Sequence, residues 1–181
     1  MKWLTWLLLF FAISSFALAF FNLYQVFSHP LKYQQEIINY SKEFNLSPDL
    51  VASVINTESG FKDNARSHKN AIGLMQIKLT TANYMCEILC EQTLTEDQLF
   101  NPDINIKYGC AYLNYLMKKF KNTQTVLAAY NAGETIVRAW LGDGIHSVDG
   151  KKLSYIPYKE TRNYVQKINK NIKYYSKIFN N

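Results

Sequence analysis

One carboxylate in this chain sits where an acid would be put to use. Glu58 closes the run Leu50-Val51-Ala52-Ser53-Val54-Ile55-Asn56-Thr57-Glu58, and Ser59-Gly60-Phe61 follows at once. Leu50, Val51, Val54 and Ile55 recur at helical spacing and mark a buried stripe. Glu58 lies three and four positions beyond Ile55 and Val54, so its carboxyl group falls on or beside that stripe. Burial penalises the charged form of a carboxyl group and raises its pKa. A glutamic acid that keeps its proton near neutral pH is what general acid catalysis needs. Holding it half-protonated there takes roughly 3 kcal/mol of local environment. On position alone, a helix-end glutamate turned to solvent is the plainer account.

Other chemistries find no support in the pattern. His29, His68 and His146 are scattered, and neither His-Glu-x-x-His nor Cys-x-x-Cys occurs, so no metal and no cofactor is expected. No serine or cysteine nucleophile signature is present.

The elements that must position Glu58 read as follows. Residues 3–21 are predominantly apolar, with only Thr5, Ser14 and Ser15 polar, and no charge falls between Lys2 and Lys32. That length suffices for a membrane span of about 20 residues. Ala17-Leu18-Ala19 also offers a small-x-small cleavage site. We favour an uncleaved signal anchor over a removed signal peptide. Both place the remainder in the periplasm or otherwise outside the cytoplasm, with the inner membrane as a partner through the N-terminal segment.

The expected division is residues 1–28 as anchor or signal peptide, 29–46 as a connecting amphipathic helix, and 47–181 as the domain that carries Glu58. Within it the pattern predicts a helix over 31–45 with Ile37, Ile38 and Phe44 inward. Ser47-Pro48-Asp49 is a helix start, with a serine cap, a first-turn proline and an acid facing the dipole. A polar loop over 60–72 and a helix from Leu74 to about Leu89 come next. Asn101-Pro102-Asp103 opens a helix with the stripe Ile106, Cys110, Leu113, Leu116, Met117 and Phe120. Helices over 124–131 and 134–141 flank a stop at Gly133, and a loop over 143–157 leads to a helix over 159–178. The fold class is all-α, predominantly helical, with an N-terminal hydrophobic helix.

The net charge is +6, yet residues 151–181 alone carry +7 and the rest −1. A basic terminal helix suits an anionic polymer or a membrane surface, although a solvated face accounts for most of these lysines. Nucleic acid does not fit an exported chain. Of Cys86, Cys90 and Cys110, one pair can be bridged in an oxidising compartment. Alternatively Cys86 and Cys90 pack in the core one helical turn apart.

Five segments share one order and spacing. They are Thr57-Glu58-Ser59-Gly60-Phe61 with Ser67, then Ala71-Ile72-Gly73-Leu74-Met75-Gln76-Ile77, then Asn101-Pro102-x-x-Asn105-Ile106 with Gly109-x-x-Tyr112-Leu113. Ala128-Ala129-Tyr130-Asn131-Ala132-Gly133 and Ile156-Pro157-Tyr158-x-Glu160-Thr161-Arg162-x-Tyr164-Val165 complete them. Together they resemble the catalytic domain of the soluble lytic transglycosylases, a lysozyme-like family related to goose-type lysozymes, over residues 47–178. Two departures stand out. Lys78-Leu79 replaces a Met-Pro common in the family, and Glu134-Thr135 replaces a Pro-Gly after Gly133.

The resemblance implies cleavage of the β-1,4 bond between N-acetylmuramic acid and N-acetylglucosamine in peptidoglycan glycan strands, leaving 1,6-anhydro ends. Glu58 would serve as both acid and base, with the muramyl N-acetyl group assisting. The resemblance also implies that Tyr130 donates a hydrogen bond that tunes Glu58, and that Gln76 and Ser67 bond the saccharide. Asn131 would secure the bend before Gly133 in preference to touching sugar, and Met75 would pack beneath the groove or line it. Glu160 would lie near the substrate unless a salt bridge to Arg162 or Lys159 holds it. Tyr164 would stack on a sugar or pack in the core. Small anchored family members accompany secretion or conjugation machines, so such an apparatus is a further implied partner. The competing functions are a goose-type lysozyme-like hydrolase and a non-catalytic glycan-binding accessory protein.

Overall fold

A computed structural model describes residues 2–179. Helix α1, Lys2–Ser28, belongs to a compact unit separate from the one that begins at Leu31. Its segment Trp3–Gln25 is long and apolar enough to cross a membrane, by length and composition.

The second unit is built from helices around a short hairpin. The elements are α2 (Gln34–Glu43), α3 (Pro48–Glu58), β1 (Ala71–Ile72), β2 (Ile77–Lys78) and α4 (Leu79–Leu89). A 3-10 turn at Asp97–Phe100 precedes α5 (Pro102–Phe120), α6 (Thr123–Ala132), α7 (Glu134–Gly142) and α8 (Lys159–Phe179). Helix α3 lies against α8, while α5 packs on α2, α4 and α6, and α6 in turn touches α7 and α8. Val51, Val54 and Ile55 of α3 meet Leu113 and Leu116 of α5, Val126 and Leu127 of α6 and Ile168 of α8 in one fully buried core.

Of the two helix starts read from the sequence, one is capped by its side chain. Asn101 caps α5 by accepting from the backbone N–H of Asp103 at 2.9 Å and of Ile104 at 3.4 Å. Asn122 caps α6 through the N–H of Thr125 at 3.0 Å. Ser47 occupies the cap position of α3, but its hydroxyl makes no cap hydrogen bond. Pro48 and Asp49 supply the start instead.

Three expectations are corrected. Ile38 does not face inward; it is 38% exposed while Ile37 and Phe44 are buried. No helix begins at Leu74. Gly73 and Gln76 take φ of 73° and 46°, which reverses the chain into the β1–β2 hairpin and delays α4 to Leu79. Leu74 and Met75 are fully buried inside that reversal, so their apolarity only mimicked a helical stripe. Finally, Cys86, Cys90 and Cys110 are all free thiols. Cys90 is exposed because it ends α4 in a left-handed conformation, φ 56°, and so leaves the face that buries Cys86.

Candidate active site

Glu58 is the last residue of α3, and its neighbours fix where its side chain can go. Ser59 Oγ donates to the carbonyl of Leu74 at 2.8 Å, which ties the helix end to the hairpin. Gly60 and Phe61 both take left-handed φ, 61° and 63°, so the chain turns sharply away from the helix axis. Phe61 is buried, its ring 6.3 Å from that of Tyr175 on α8. Helix α8 braces the same end, since Asn171 Nδ2 donates to Thr57 Oγ1 at 3.0 Å.

The hairpin is held just as firmly from α5 and α6. Asn105 is fully buried; its Nδ2 donates to the carbonyls of Ile72 and Leu99 at 2.9 and 2.7 Å, and its Oδ1 accepts from the N–H of Met75 at 2.8 Å. Gly73 lies so close that a Cβ there would stand 2.3 Å from Asn105 Nδ2. Gly109 makes room for Met75 in the same way, with 2.3 Å to its sulfur. Tyr130 donates its hydroxyl to the carbonyl of Met75 at 2.9 Å.

A cleft of about 320 Å³ opens over Glu58. Ser67, Gln76, Tyr130, Asn131 and Glu160 line it together with Glu58. Lys69 and Lys78 add a cationic side, with His68 beside them, and Lys78 occupies the position where the sequence departs from Met-Pro. Surrounding atoms enclose the Glu58 carboxyl group even though part of its surface stays accessible. Burial pushes its pKa up to about 7, against smaller opposing contributions from the Tyr164 hydroxyl and the Lys167 charge. The Tyr164 hydroxyl donates to Glu58 Oε1 at 2.7 Å. Burial, with the Glu58 charge nearby, holds the phenols of Tyr130 and Tyr164 well above the usual tyrosine range, so both remain donors.

Several roles differ from those expected. The tyrosine that donates to Glu58 is Tyr164, not Tyr130, whose hydroxyl is engaged by Met75. Tyr164 is buried and does not line the cleft, so it offers no face to a sugar. Met75 is fully buried and contributes its carbonyl to the support of Tyr130 rather than a cleft wall. Gln76 uses its amide nitrogen on the carbonyls of Gly73 and Ala65, at 2.9 and 3.2 Å, which leaves its side-chain oxygen as an acceptor. Ser67 Oγ accepts from the N–H of Ala71 and Lys69, so its own proton is available to donate. Asn131 does not bond its own bend; its Oδ1 accepts from Thr161 Oγ1 at 2.7 Å and joins α6 to α8. Glu160 is exposed, and Arg162 does not pair with it. Arg162 Nη1 instead donates to the Tyr155 hydroxyl and to the carbonyls of Ile156 and Pro157.

Sequence reasoning assigned no role to Asn105, Tyr112 or Lys167. Asn105 was visible as a polar residue on the apolar stripe of α5, a signal that a buried amide must serve backbone groups. Tyr112 lines the cleft and sits 5.4 Å from Tyr130, ring to ring.

The family model described as the transglycosylase SLT domain matches residues 35–149. The soluble lytic murein transglycosylase of Salmonella typhimurium is 32% identical over 142 residues, covering 77% of this chain and 22% of that protein. The membrane-bound lytic murein transglycosylase E of Buchnera aphidicola is 34% identical over 139 residues, 75% of this chain and 61% of its own length. Among solved structures, an inactive mutant of the lytic transglycosylase Slt from Pseudomonas aeruginosa superposes with a TM-score of 0.74 at 30% identity, over 84% of this chain and 25% of that one. The chain thus spans about a fifth of the length of the soluble enzyme it matches.

Proposed function

The chain belongs to the transglycosylase SLT domain family, and from that premise we propose that it is a peptidoglycan lytic transglycosylase in which Glu58 alone moves the protons. The observation that carries the proposal is the state of Glu58: a carboxyl group at the cleft with a pKa of about 7, oriented by the Tyr164 hydroxyl. Near neutral pH it is partly protonated, as a group that must both give and take a proton requires.

The reaction balances without water. Glu58 delivers its proton to the glycosidic oxygen that leaves with N-acetylglucosamine, and the bond from that oxygen to the muramyl anomeric carbon breaks. The muramyl 6-hydroxyl oxygen bonds to the same carbon, closing the 1,6-anhydro ring, and its proton passes to the Glu58 carboxylate. The nucleophile is already part of the substrate, so positioning replaces a second bimolecular encounter. The Ser67 hydroxyl and the Gln76 side-chain oxygen are a donor and an acceptor suited to holding the sugar. Helix α1 would keep the domain at the inner membrane on the extracytoplasmic side, a reading supported by its length and apolarity and by membrane-bound relatives.

Glu160 supports one rival. It is a second carboxylate on the cleft, exposed, and could serve a water-using hydrolase as base. Mass spectrometry of fragments released from purified sacculi decides between the two. Anhydro-muramyl ends from the wild type, and loss of release in Glu58→Gln, are expected. Reducing ends would give the reaction to the hydrolase, and undiminished release by Glu58→Gln would remove Glu58 from the chemistry.

A further inference from the structure

A ladder of tyrosine rings leads out of the cleft. Tyr130, beside Glu58, lies 5.4 Å from Tyr112 between ring centroids, and Tyr112 also lines the cleft. Tyr115 follows one helical turn along α5, its ring stacked at 6.1 Å and only 20° from that of Tyr112. Tyr84 of α4 then meets Tyr115 edge to face at 5.5 Å. Helix α4 presents a matching stripe. Thr81 lines the cleft, Tyr84 lies one turn on, and Ile88 one turn beyond that. Two helices therefore carry one surface from the cleft outward.

The outer part of that surface is apolar, exposed and packed from beneath. Tyr84 is 44% exposed and Ile88 47%. A lone exposed tyrosine needs no explanation, but this one is held. Its ring is set by Tyr115, and the two hydroxyls lie 3.3 Å apart. Tyr115 is itself locked by the Lys119 ammonium, 4.3 Å from its ring centre, and Lys119 is paired to Glu134 at 2.7 Å. An exposed ring already packed against a neighbour and hydrogen-bonded to it loses less entropy when something stacks on it. Its negative π face also suits the polarised C–H faces of a sugar ring. A cleft of about 320 Å³ lies near the lower limit for small-molecule sites, so a glycan strand lying in it must continue across neighbouring surface.

We infer that Tyr84 and Ile88, supported by Tyr115, form an outer shelf on which the glycan strand occupying the cleft continues past it. The inference rests on the glycan reading of the cleft and adds a determinant of strand length to it. The neighbouring surface and the strand's continuity commit the shelf to saccharide.

Binding of β-1,4-linked N-acetylglucosamine oligomers to the full chain in detergent, followed by calorimetry, tests it. The wild type should hold the hexamer more tightly than the dimer. Tyr84→Ala should weaken the hexamer about tenfold and change the dimer by less than twofold. Tyr84→Phe, which keeps the ring and loses the hydroxyl, should restore hexamer binding, and Ile88→Ser should weaken the hexamer if Tyr84→Ala folds poorly. Equal loss for both lengths, unchanged hexamer affinity in Tyr84→Ala, or no length preference in the wild type would each overturn the shelf. A chain that shows the length dependence but releases no fragments from sacculi refutes the catalytic reading and leaves the shelf standing.

Discussion

Glu58→Gln should make the protein more stable above about pH 4.5, where the carboxylate of the unfolded wild-type chain is charged. The folded pKa of Glu58 is pushed up to about 7 from an ordinary 4.5. Between these values the folded state keeps a proton that the unfolded chain has lost. Raising the pH through this window therefore favours unfolding, and native stability falls from about pH 4.5 to about pH 7 and then levels. The interval corresponds to about 3 kcal/mol, which the accessible part of the side chain trims to about 2 kcal/mol. Glutamine has nearly the same shape, carries no charge, and can still accept the Tyr164 hydroxyl.

The variant should thus match the wild type near pH 4 and exceed it by about 2 kcal/mol at pH 8, or roughly 4–8 °C in Tm for a domain of this size. Thermal and urea denaturation of both proteins at pH 4, 6 and 8, followed by circular dichroism, supplies the measurement. Other carboxylates titrate alike in both chains. Glu91, lowered by Lys107 and Tyr108, and Asp63, lowered by the Tyr33 hydroxyl, cancel in the difference. A stability difference that is flat in pH, or a Glu58→Gln protein weaker than the wild type at pH 8, would refute the claim that Glu58 is held against its own ionisation.

Two further substitutions separate orientation from scaffold. Tyr164→Phe removes the donor to Glu58 Oε1, which favours the carboxylate, so the alkaline limb of the kcat/KM profile should move up by about one pH unit; a limb that stays put or moves down contradicts the assigned role. Asn105→Ala strands the N–H of Met75 and the carbonyls of Ile72 and Leu99 in the core, and should cost about 3–5 kcal/mol in urea unfolding, whereas a loss below about 1 kcal/mol would mean that water replaces the amide.

What the sequence disclosed and what it hid divide along a physical line. The helices over α3, α5, α6 and α8 were legible because apolar spacing and capping residues act within one or two turns. Leu74 and Met75 misled because a buried reversal and a buried helix both demand apolar residues, and only the positive φ of Gly73 and Gln76 tells them apart. Glycine at position 73 hinted at the reversal; a glutamine at φ 46° did not, because its conformation is held by its own amide bonds to Gly73 and Ala65.

The exchange of roles between Tyr130 and Tyr164 has a different origin. Both are enclosed, both keep their protons, and both lie close enough to Glu58 for its charge to act on them. Local pattern cannot rank them, since the choice depends on which acceptor each hydroxyl meets across the fold. Tyr164 reaches Glu58 because α8 lies along α3, with Asn171 bonded to Thr57, the residue before Glu58. Tyr130 meets the carbonyl of Met75 because Asn105 and the space left at Gly73 draw the hairpin under α6. Glu58 is therefore oriented from the α8 side, and the cleft floor is supported from the α5–α6 side. Weakening the second without the first should loosen sugar binding while leaving the acid in place. In the Asn105→Ala protein, kept folded at low temperature, KM should rise several-fold with the pH limb near 7 unmoved; a shifted limb would show that the hairpin, and not α8, sets the state of Glu58.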